Sequence, residues 1–377
     1  MRVGLVCPLS FTTLGGVQTH TLLLGQALQK QGIEVVYFSP TPTDIKTVPQ
    51  PHVSVGLGVN LPNFNGSWSD YTFSFASGDE LKKLLIEQKL DLLHVQAPLI
   101  PFINWQLIPA SPIPVVVTLH SGWDKDAPVE QWLFFVEAIT KQLKPQITQT
   151  IAVSQTAASC ERYFADAATV IIPNPIDLKA YQIPQPRPKL LTIKTFNFLF
   201  VGRLDRRKGM SELLLALAKI PVDLRAQLKL FVLGAGPLEI EVKLLAETLD
   251  LTKQIVWLGR QSEKTKTAYL QHADALIAPS LSGESFGMVL TEAMACGLPI
   301  ICGNNRGYSE TMKNYPAQDL VIDPRQSEVL AAAILKLSNQ PQLTARLKKW
   351  ELKEVKQYDA AKVATVHIKV YKKLLKI

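Results

Sequence analysis

The chain has 377 residues, 47% apolar and 19% charged, with a formal net charge of +8. That length predicts two, perhaps three, domains, each with its own core, and the composition is that of a globular protein, not of a disordered or fibrous one. Of the four cysteines (Cys7, Cys160, Cys296, Cys302), none forms a C-x-x-C pair or sits among histidines, which speaks against a zinc site or disulfide framework and fits a reducing compartment.

The opening MRVGLVCPLSF is a short apolar run ending in proline, so a buried first strand is expected in place of a secretory signal. GVQTHTLLLGQALQKQG (16–32) predicts a helix stopped by Gly32, and EVVYFSP (34–40) a second strand. LLHVQ (92–96), PVVVTLH (114–120) and TIAVS (150–154) continue the series, separated by helical lengths. Leu92 to Trp123 holds no charged side chain, yet five prolines interrupt it. A membrane span needs ~20 uninterrupted apolar residues, so a buried helix followed by a buried strand is expected there. Residues 178–196, with three prolines and no clear periodicity, read as a linker. The rhythm then restarts with FNFLFVGRL (196–204), KLFVLGAG (229–236), QIVWLGR (254–260), ALIAPS (275–280) and LPIICGN (298–304). Strands alternating with helices predict an α/β fold of two doubly wound parallel sheets, with ligand-binding turns at the carboxyl ends of the strands, facing a cleft between the two domains.

Charge is divided unevenly. Residues 1–180 carry 11 Lys and Arg against 14 Asp and Glu, a balance of −3, and residues 181–377 carry 29 against 18, a balance of +11. From Arg346 onward the count is 10 against 3, so the last helical stretch is either a solvated basic face or a surface for an anionic partner. No aromatic-basic motif of a nucleic-acid module accompanies it, and nucleic acid is not expected as a partner.

Four turns hold unusual residues. In LGGVQTH (14–20), Gly15 and Gly16 permit close backbone approach, and the helix behind them offers free N–H groups to an anion. LGAGPLE (233–239) has Gly234 and Gly236 but Glu239 in place of a third glycine, so neither half carries a complete dinucleotide turn. VGRLDRRKGM (201–210) gathers Arg203, Arg206, Arg207 and Lys208 directly after a strand, an arrangement suited to a diphosphate, with solvated loop cations as the other reading. In SGESFGMVLTEAMACGLPII (282–301) a glycine turn leads into a helix over Met288–Ala295 closed by Gly297 and Pro299. Its amino end points donors at phosphate, Glu292 suits a ribose diol, and Glu284 in the loop suits sugar hydroxyls. His120, ending PVVVTLH, reads either as a packed structural histidine or as a site residue.

GGVQTH, VTLH, IAVS, IIPNPID, VGRLDRRKG and APS…GESFGMVLTEAMACGLPII, in this order and spacing, resemble the retaining GT-B glycosyltransferases of family 4 along nearly the whole chain. The opening MRVGLVCPLSF…GGVQTH and the FNGS at 64–67 look most like bacterial phosphatidylinositol mannosyltransferases. The resemblance implies a GT-B architecture of two Rossmann-like domains: residues 1–178 on the acceptor side, 179–355 for the nucleotide-sugar, and 356–377 as a helix returning to the first. It implies a metal-independent hexosyltransferase without cofactor, taking mannose from GDP-mannose to a lipid-linked or polyol acceptor. A UDP-sugar donor with a saccharide or diacylglycerol acceptor, or a catalytically idle nucleotide-sugar-binding module, are the alternatives.

Carried over by position, Arg203 and Lys208 neutralise the diphosphate and Gly16 approaches it. Glu284 holds the donor sugar, Glu292 the ribose, and His120 lies beside the transferred hexose. Leu258, Gly259, Ser285, Phe286, Gly287 and Met288 complete the donor site, and Gln18, Asn65, Ser67 and Lys125 match acceptor positions. Two positions depart. Leu9 stands where those enzymes have tyrosine and Asp70 where they have arginine, which disfavours a phosphorylated head group. A cytoplasmic enzyme is expected, with the inner face of a membrane as one place for it; the apolar run Gln131–Phe135 reads first as core packing, with a peripheral membrane contact as the other reading.

Overall fold

The computed structural model describes residues 1–12, 15–41, 48–62, 68–121, 138–159 and 169–377. The chain divides into two compact units, Met1–Pro175 with Tyr358–Ile377, and Ile176–Gln357. The first is built on strands β1 (Arg2–Val6), β2 (Glu34–Ser39), β3 (His52–Ser54), β6 (Leu92–Gln96), β7 (Val115–Leu119), β8 (Ile147–Ala152) and β9 (Val170–Ile171), in the order β3-β2-β1-β6-β7-β8-β9. Every pairing in it is parallel. The second holds β10 (Phe196–Val201), β11 (Leu228–Leu233), β12 (Ile255–Gly259), β13 (Ala275–Ala278), β14 (Ile300–Gly303) and β15 (Val321–Ile322), ordered β12-β11-β10-β13-β14-β15, again all parallel.

Helices cover both faces of such sheets, so their strands are buried throughout and read as unbroken apolar runs. All five residues of LLHVQ and of VVVTL are buried. In each unit the strand order reverses beside the first strand, at β1/β6 and at β10/β13, and each reversal opens a crevice at the carboxyl ends.

The charge-free stretch from Leu92 is a strand, a helix (Ile103–Ala110) and a second strand, the helix burying Ile103, Leu107 and Ile108. Among the described residues no helix is long and apolar enough to cross a membrane. Two features correct the sequence reading. The expected linker begins later, because Asp177 accepts hydrogen bonds from the amides of Lys179 and Ala180 and starts a helix over Leu178–Gln182. An antiparallel pair, β4 (Leu57–Pro62) with β5 (Trp68–Phe73), was not foreseen. Its strands lack a clean apolar alternation, Leu57 and Val59 being exposed.

The helix Ala360–Leu375 belongs to the first unit. It buries Val363, Ala364, His367 and Tyr371, and packs on the helix Gly16–Lys30.

In the second unit Glu351 is wholly buried. Tyr315 donates to one of its oxygens at 3.3 Å, and the other has no partner among the described residues. Burial pushes its carboxyl well above the usual range, against the opposing pull of the Tyr315 hydrogen bond and Lys348. A raised carboxyl leaves stability complete below the unfolded value and loses it as pH rises toward the folded one, at ~1.4 kcal/mol per pH unit. Glu351→Gln, neutral at every pH, is therefore expected to gain on the wild type in melting temperature between pH 5 and pH 8. A difference that stays flat over that interval would show Glu351 to be ionised in the folded protein.

Candidate active site

The loops after β10 and β13 meet at the crevice of the second unit because their strands are neighbours. After β10, Arg206–Lys208 form a single 3-10 turn closed by Gly209 at φ +70°. A side chain at Gly209 would put its Cβ 2.0 Å from the Pro279 carbonyl oxygen, so only glycine lets the two loops touch. The turn aims Lys208 across the crevice, where Nζ lies 2.5 Å from Oε1 of Glu284. Ser280 donates to the same oxygen at 3.1 Å, and Tyr308, also buried, hydrogen-bonds Ser280. Both charged side chains are mostly shielded, at 19% and 12% exposed. The cation and carboxylate predicted from separate motifs are thus one ion pair, with Arg203 half-buried in the same turn.

The other basic residues of that turn do different work. Arg206 is exposed. Arg207 turns back, with Nη2 3.2 Å from Asp205 and Nη1 donating to the Gly283 carbonyl at 3.3 Å, while the Leu281 amide donates to the Arg207 carbonyl. It clamps the loop that carries Glu284.

Gly287 caps the helix Met288–Cys296, whose first turn leaves backbone donors without an intrahelical acceptor. Ser285, Phe286, Gly287 and Met288 lead into that amino end. Glu292 faces inward from the next turn, and Lys266 Nζ lies 2.9 Å from its Oε1. Burial works against the charge on Lys266, but Glu292 and Glu263 hold its pKa above the ordinary lysine value. Tyr181 also hydrogen-bonds Glu292, and its phenol, raised mainly by burial and further by Glu292, stays protonated. Leu258 and Gly259 end the edge strand β12, two strands removed from β10. Gly234 and Gly236 serve packing, because Cβ atoms there would fall 1.8 Å and 2.3 Å from the carbonyl oxygens of Gly202 and Leu204.

In the first unit Gly16 is the first residue of its helix, with Gly15 as the cap. Gln18, buried on that helix, donates to the Ser10 carbonyl at 3.2 Å. The two departing positions prove to be neighbours: Leu9, buried, bridges to Tyr71, and Ser10 donates to the Asp70 carbonyl at 3.2 Å. Asn60 donates to the Asp70 carboxylate at 2.6 Å.

His120, half-buried at the end of β7, donates from Nε2 to Gln96 Oε1 at 2.8 Å. His20 stands edge-on to it with ring centroids 4.6 Å apart, and donates from Nδ1 to Asn174 Oδ1 at 2.7 Å. Beyond His20 lie His94 and His367. His94 bonds Tyr371 and Thr118, both at 2.6 Å, and its ring centroid is 5.7 Å from that of His367. Burial drives these imidazoles to the neutral form: it takes His367 to about 4 against the opposing Val363 hydrogen bond, and with repulsion from His367 it takes His120 to about 3. His20 and His94 are also lowered well below the usual value. Among the described residues no cluster with metal-binding geometry occurs.

Asn65, Ser67, Lys125 and the run Gln131–Phe135 lie outside the described residues. Ser280, Lys266, Tyr181 and the histidines behind His120 went unread in the sequence. Only Ser280 had a local cue, its place at the end of ALIAPS.

Two Rossmann-like α/β units, one with a shielded cation–carboxylate pair where its strand order reverses, define the GT-B class. Residues 14–180 match the Glycosyltransferase Family 4 model and residues 184–353 the Glycosyl transferases group 1 model. The phosphatidyl-myo-inositol mannosyltransferase of Mycolicibacterium smegmatis is 31% identical over 373 residues, 98% of this chain and 93% of that one. Its counterpart in Propionibacterium freudenreichii is 31% identical over 319 residues, 83% and 79% of the two chains. The crystal structure of Anabaena HepE in complex with UDP superposes with a TM-score of 0.77 at 18% identity, over 99% of both chains. The chain belongs to the family 4 (group 1) glycosyltransferases, retaining hexosyltransferases that take their sugar from a nucleotide-sugar donor.

Proposed function

We propose that this enzyme transfers mannose from GDP-mannose, with retention and without a metal, to a lipid-linked or polyol acceptor. The observation that carries this reading is the Lys208–Glu284 pair held at 2.5 Å in the switch-point crevice. As the bond from the anomeric carbon to the diphosphate breaks, negative charge grows on the leaving oxygen, where Lys208, Arg203 and the amino end of the helix Met288–Cys296 oppose it. Gly16 brings its amide to the same diphosphate. Glu284 accepts from the donor sugar's hydroxyls and Glu292 from the ribose. His120 lies beside the hexose. No side chain here serves as a covalent nucleophile: the acceptor hydroxyl attacks from the face the diphosphate leaves and gives its proton to the departing phosphate oxygen.

On the acceptor side Gln18, Asn65, Ser67 and Lys125 hold the polyol. Asp70 stands where the phosphatidylinositol enzymes that the chain resembles have arginine, and a carboxylate in that place opposes a phosphorylated head group, so we assign an uncharged acceptor. The reaction takes place in the cytoplasm, at the inner face of a membrane.

A UDP-sugar donor is the second reading, supported by HepE, whose structure holds UDP. Melting temperatures with GDP, UDP, ADP and NADH, for wild type and Lys208→Ala, separate the two. A nucleotide at about 100 times its Kd adds ~2.7 kcal/mol to stability. The expected result is a shift with GDP that the variant loses. A shift with UDP alone would overturn the donor and leave the site. A shift with none would remove the donor site from this crevice. Donor hydrolysis, if seen, excludes an idle module.

A further inference from the structure

Gln96 is 0% exposed at the end of β6 and has no part in the chemistry proposed above. Side chains two apart on a strand share a face, so His94 lies with Gln96, and Thr118 with His120. The register sets Gln96 beside Thr118, and the hydrogen bond between His94 and Thr118 puts both pairs on one face of the sheet. The backbone beneath Gln96 is held firmly. Asn104, also wholly buried, donates from Nδ2 to the Gln96 carbonyl at 3.1 Å and to the Ala97 carbonyl at 2.9 Å. The Ala97 amide donates to the Thr118 carbonyl at 2.9 Å, and Ala97 takes a left-handed φ of +47°, which alanine keeps only where its surroundings enforce it. From this fixed root the Gln96 Oε1 reaches His120 Nε2 at 2.8 Å. An amide oxygen only accepts, so Nε2 carries the proton, and in a neutral imidazole Nδ1 is then an acceptor. His20, its ring centroid 4.6 Å away, restricts rotation of the His120 ring.

We infer that Gln96 is the positioning residue for His120, fixing the ring proton on Nε2 so that Nδ1 turns a lone pair to a hydroxyl of the hexose. This role rests on the placement of His120 beside the hexose in the proposed function. Among the described residues the titratable groups that act on His120 are imidazoles: His20 from the helix Gly16–Lys30, His94 from β6 and His367 from the C-terminal helix. None of them supplies the negative charge that would hold a second proton on the ring. What remains to be decided is which of two neutral tautomers the ring adopts, and Gln96 decides it. Reversing the amide would move the proton to Nδ1, so the His120 tautomer reports the orientation of Gln96 directly.

The test is nitrogen NMR of the isotope-labelled full chain without nucleotide, with His120 assigned by the signals missing from His120→Asn. The expected result is a neutral ring protonated on Nε2 throughout pH 8 to pH 6, since its folded value is about 3. Gln96→Leu should show a mixture of both tautomers. It should also lower kcat about 10- to 100-fold, the cost of misplacing a group at the reacting centre, and leave nucleoside diphosphate affinity unchanged. Gln96→Glu keeps an acceptor at Nε2, so it should keep the tautomer and near wild-type turnover at pH 8. Its carboxylate favours a second proton on the ring, so turnover should fall severalfold by pH 6, where the wild type stays level. A proton on Nδ1 in the wild type, an unchanged tautomer in Gln96→Leu, or a level profile in Gln96→Glu would each overturn this role. The wild-type spectrum decides the tautomer even where Gln96→Leu does not fold. The spectra require no substrate, so a wrong donor or acceptor leaves them as they are and fails the proposed function alone.

Discussion

Lys208→Ala is expected to lower kcat about a thousandfold, because removing one preorganised group from a developing anion costs on the order of 10²–10³ in rate. The side chain is placed for that work by the 3-10 turn and by Gly209, which lets the β10 loop rest on Pro279. It is 19% exposed, so its charge is less screened than a surface lysine's. Nucleoside diphosphate binding should weaken by roughly 10- to 100-fold, the value of one charge-assisted hydrogen bond at ~1.5–3 kcal/mol. Glu284→Gln should leave that binding nearly intact and lower kcat, since the amide keeps the shape but loses the charge facing Lys208 and the sugar. Lys208→Arg should not restore activity, because a planar guanidinium cannot repeat a single-point contact at 2.5 Å. Steady-state kinetics beside calorimetric GDP titration test all three. Full turnover in Lys208→Ala, with the fold intact by circular dichroism, would remove this pair from the reaction.

The second large effect is loss of the fold in mild acid. His20, His94 and His367 are 0% exposed, and their hydrogen bonds among the described residues go only to neutral groups: Asn174, Tyr371, Thr118 and the Val363 carbonyl. Each binds a proton more weakly folded than unfolded. The unfolded chain therefore takes up protons first as pH falls below about 6.5, and stability drops until the folded values are reached, about 4 for His367. Three such groups give a slope approaching ~4 kcal/mol per pH unit, enough to exhaust a typical stability of 5–15 kcal/mol within a few units. Far-UV circular dichroism should show cooperative unfolding between pH 6 and pH 4. His367→Leu should make the transition shallower by about one proton, since Nε2 of that ring has no partner to lose among the described residues. An unchanged midpoint and steepness in that variant would place the acid-sensitive element elsewhere.

The histidines also show where legibility in the sequence stops. The chain has six, and the four that cluster come from positions 20, 94, 120 and 367. Each looks solitary in its own segment, and no periodicity links His94 to His367. Strand order alone makes them neighbours, by setting β6 between β1 and β7 and bringing the last helix back onto the first unit. Leu9 and Asp70 repeat the lesson: 61 positions apart in sequence, they share a β-bridge neighbourhood through Tyr71 and Ser10.

What the sequence determined by itself was local. Buried parallel strands must be largely apolar, so LLHVQ, VVVTL and FNFLFV announced themselves. The β4/β5 pair escaped because its strands are partly solvated and do not alternate, although the Asn65-Gly66 pair in the sequence between them is a hairpin cue. Tertiary structure decided which charges belong together. Lys208 met Glu284, Arg207 turned away to Asp205 and Gly283, and Glu292 was taken by Lys266. Sequence states which side chains carry charge, but a charge's partner depends on distance, and at the crevice that distance is set by β10 lying beside β13.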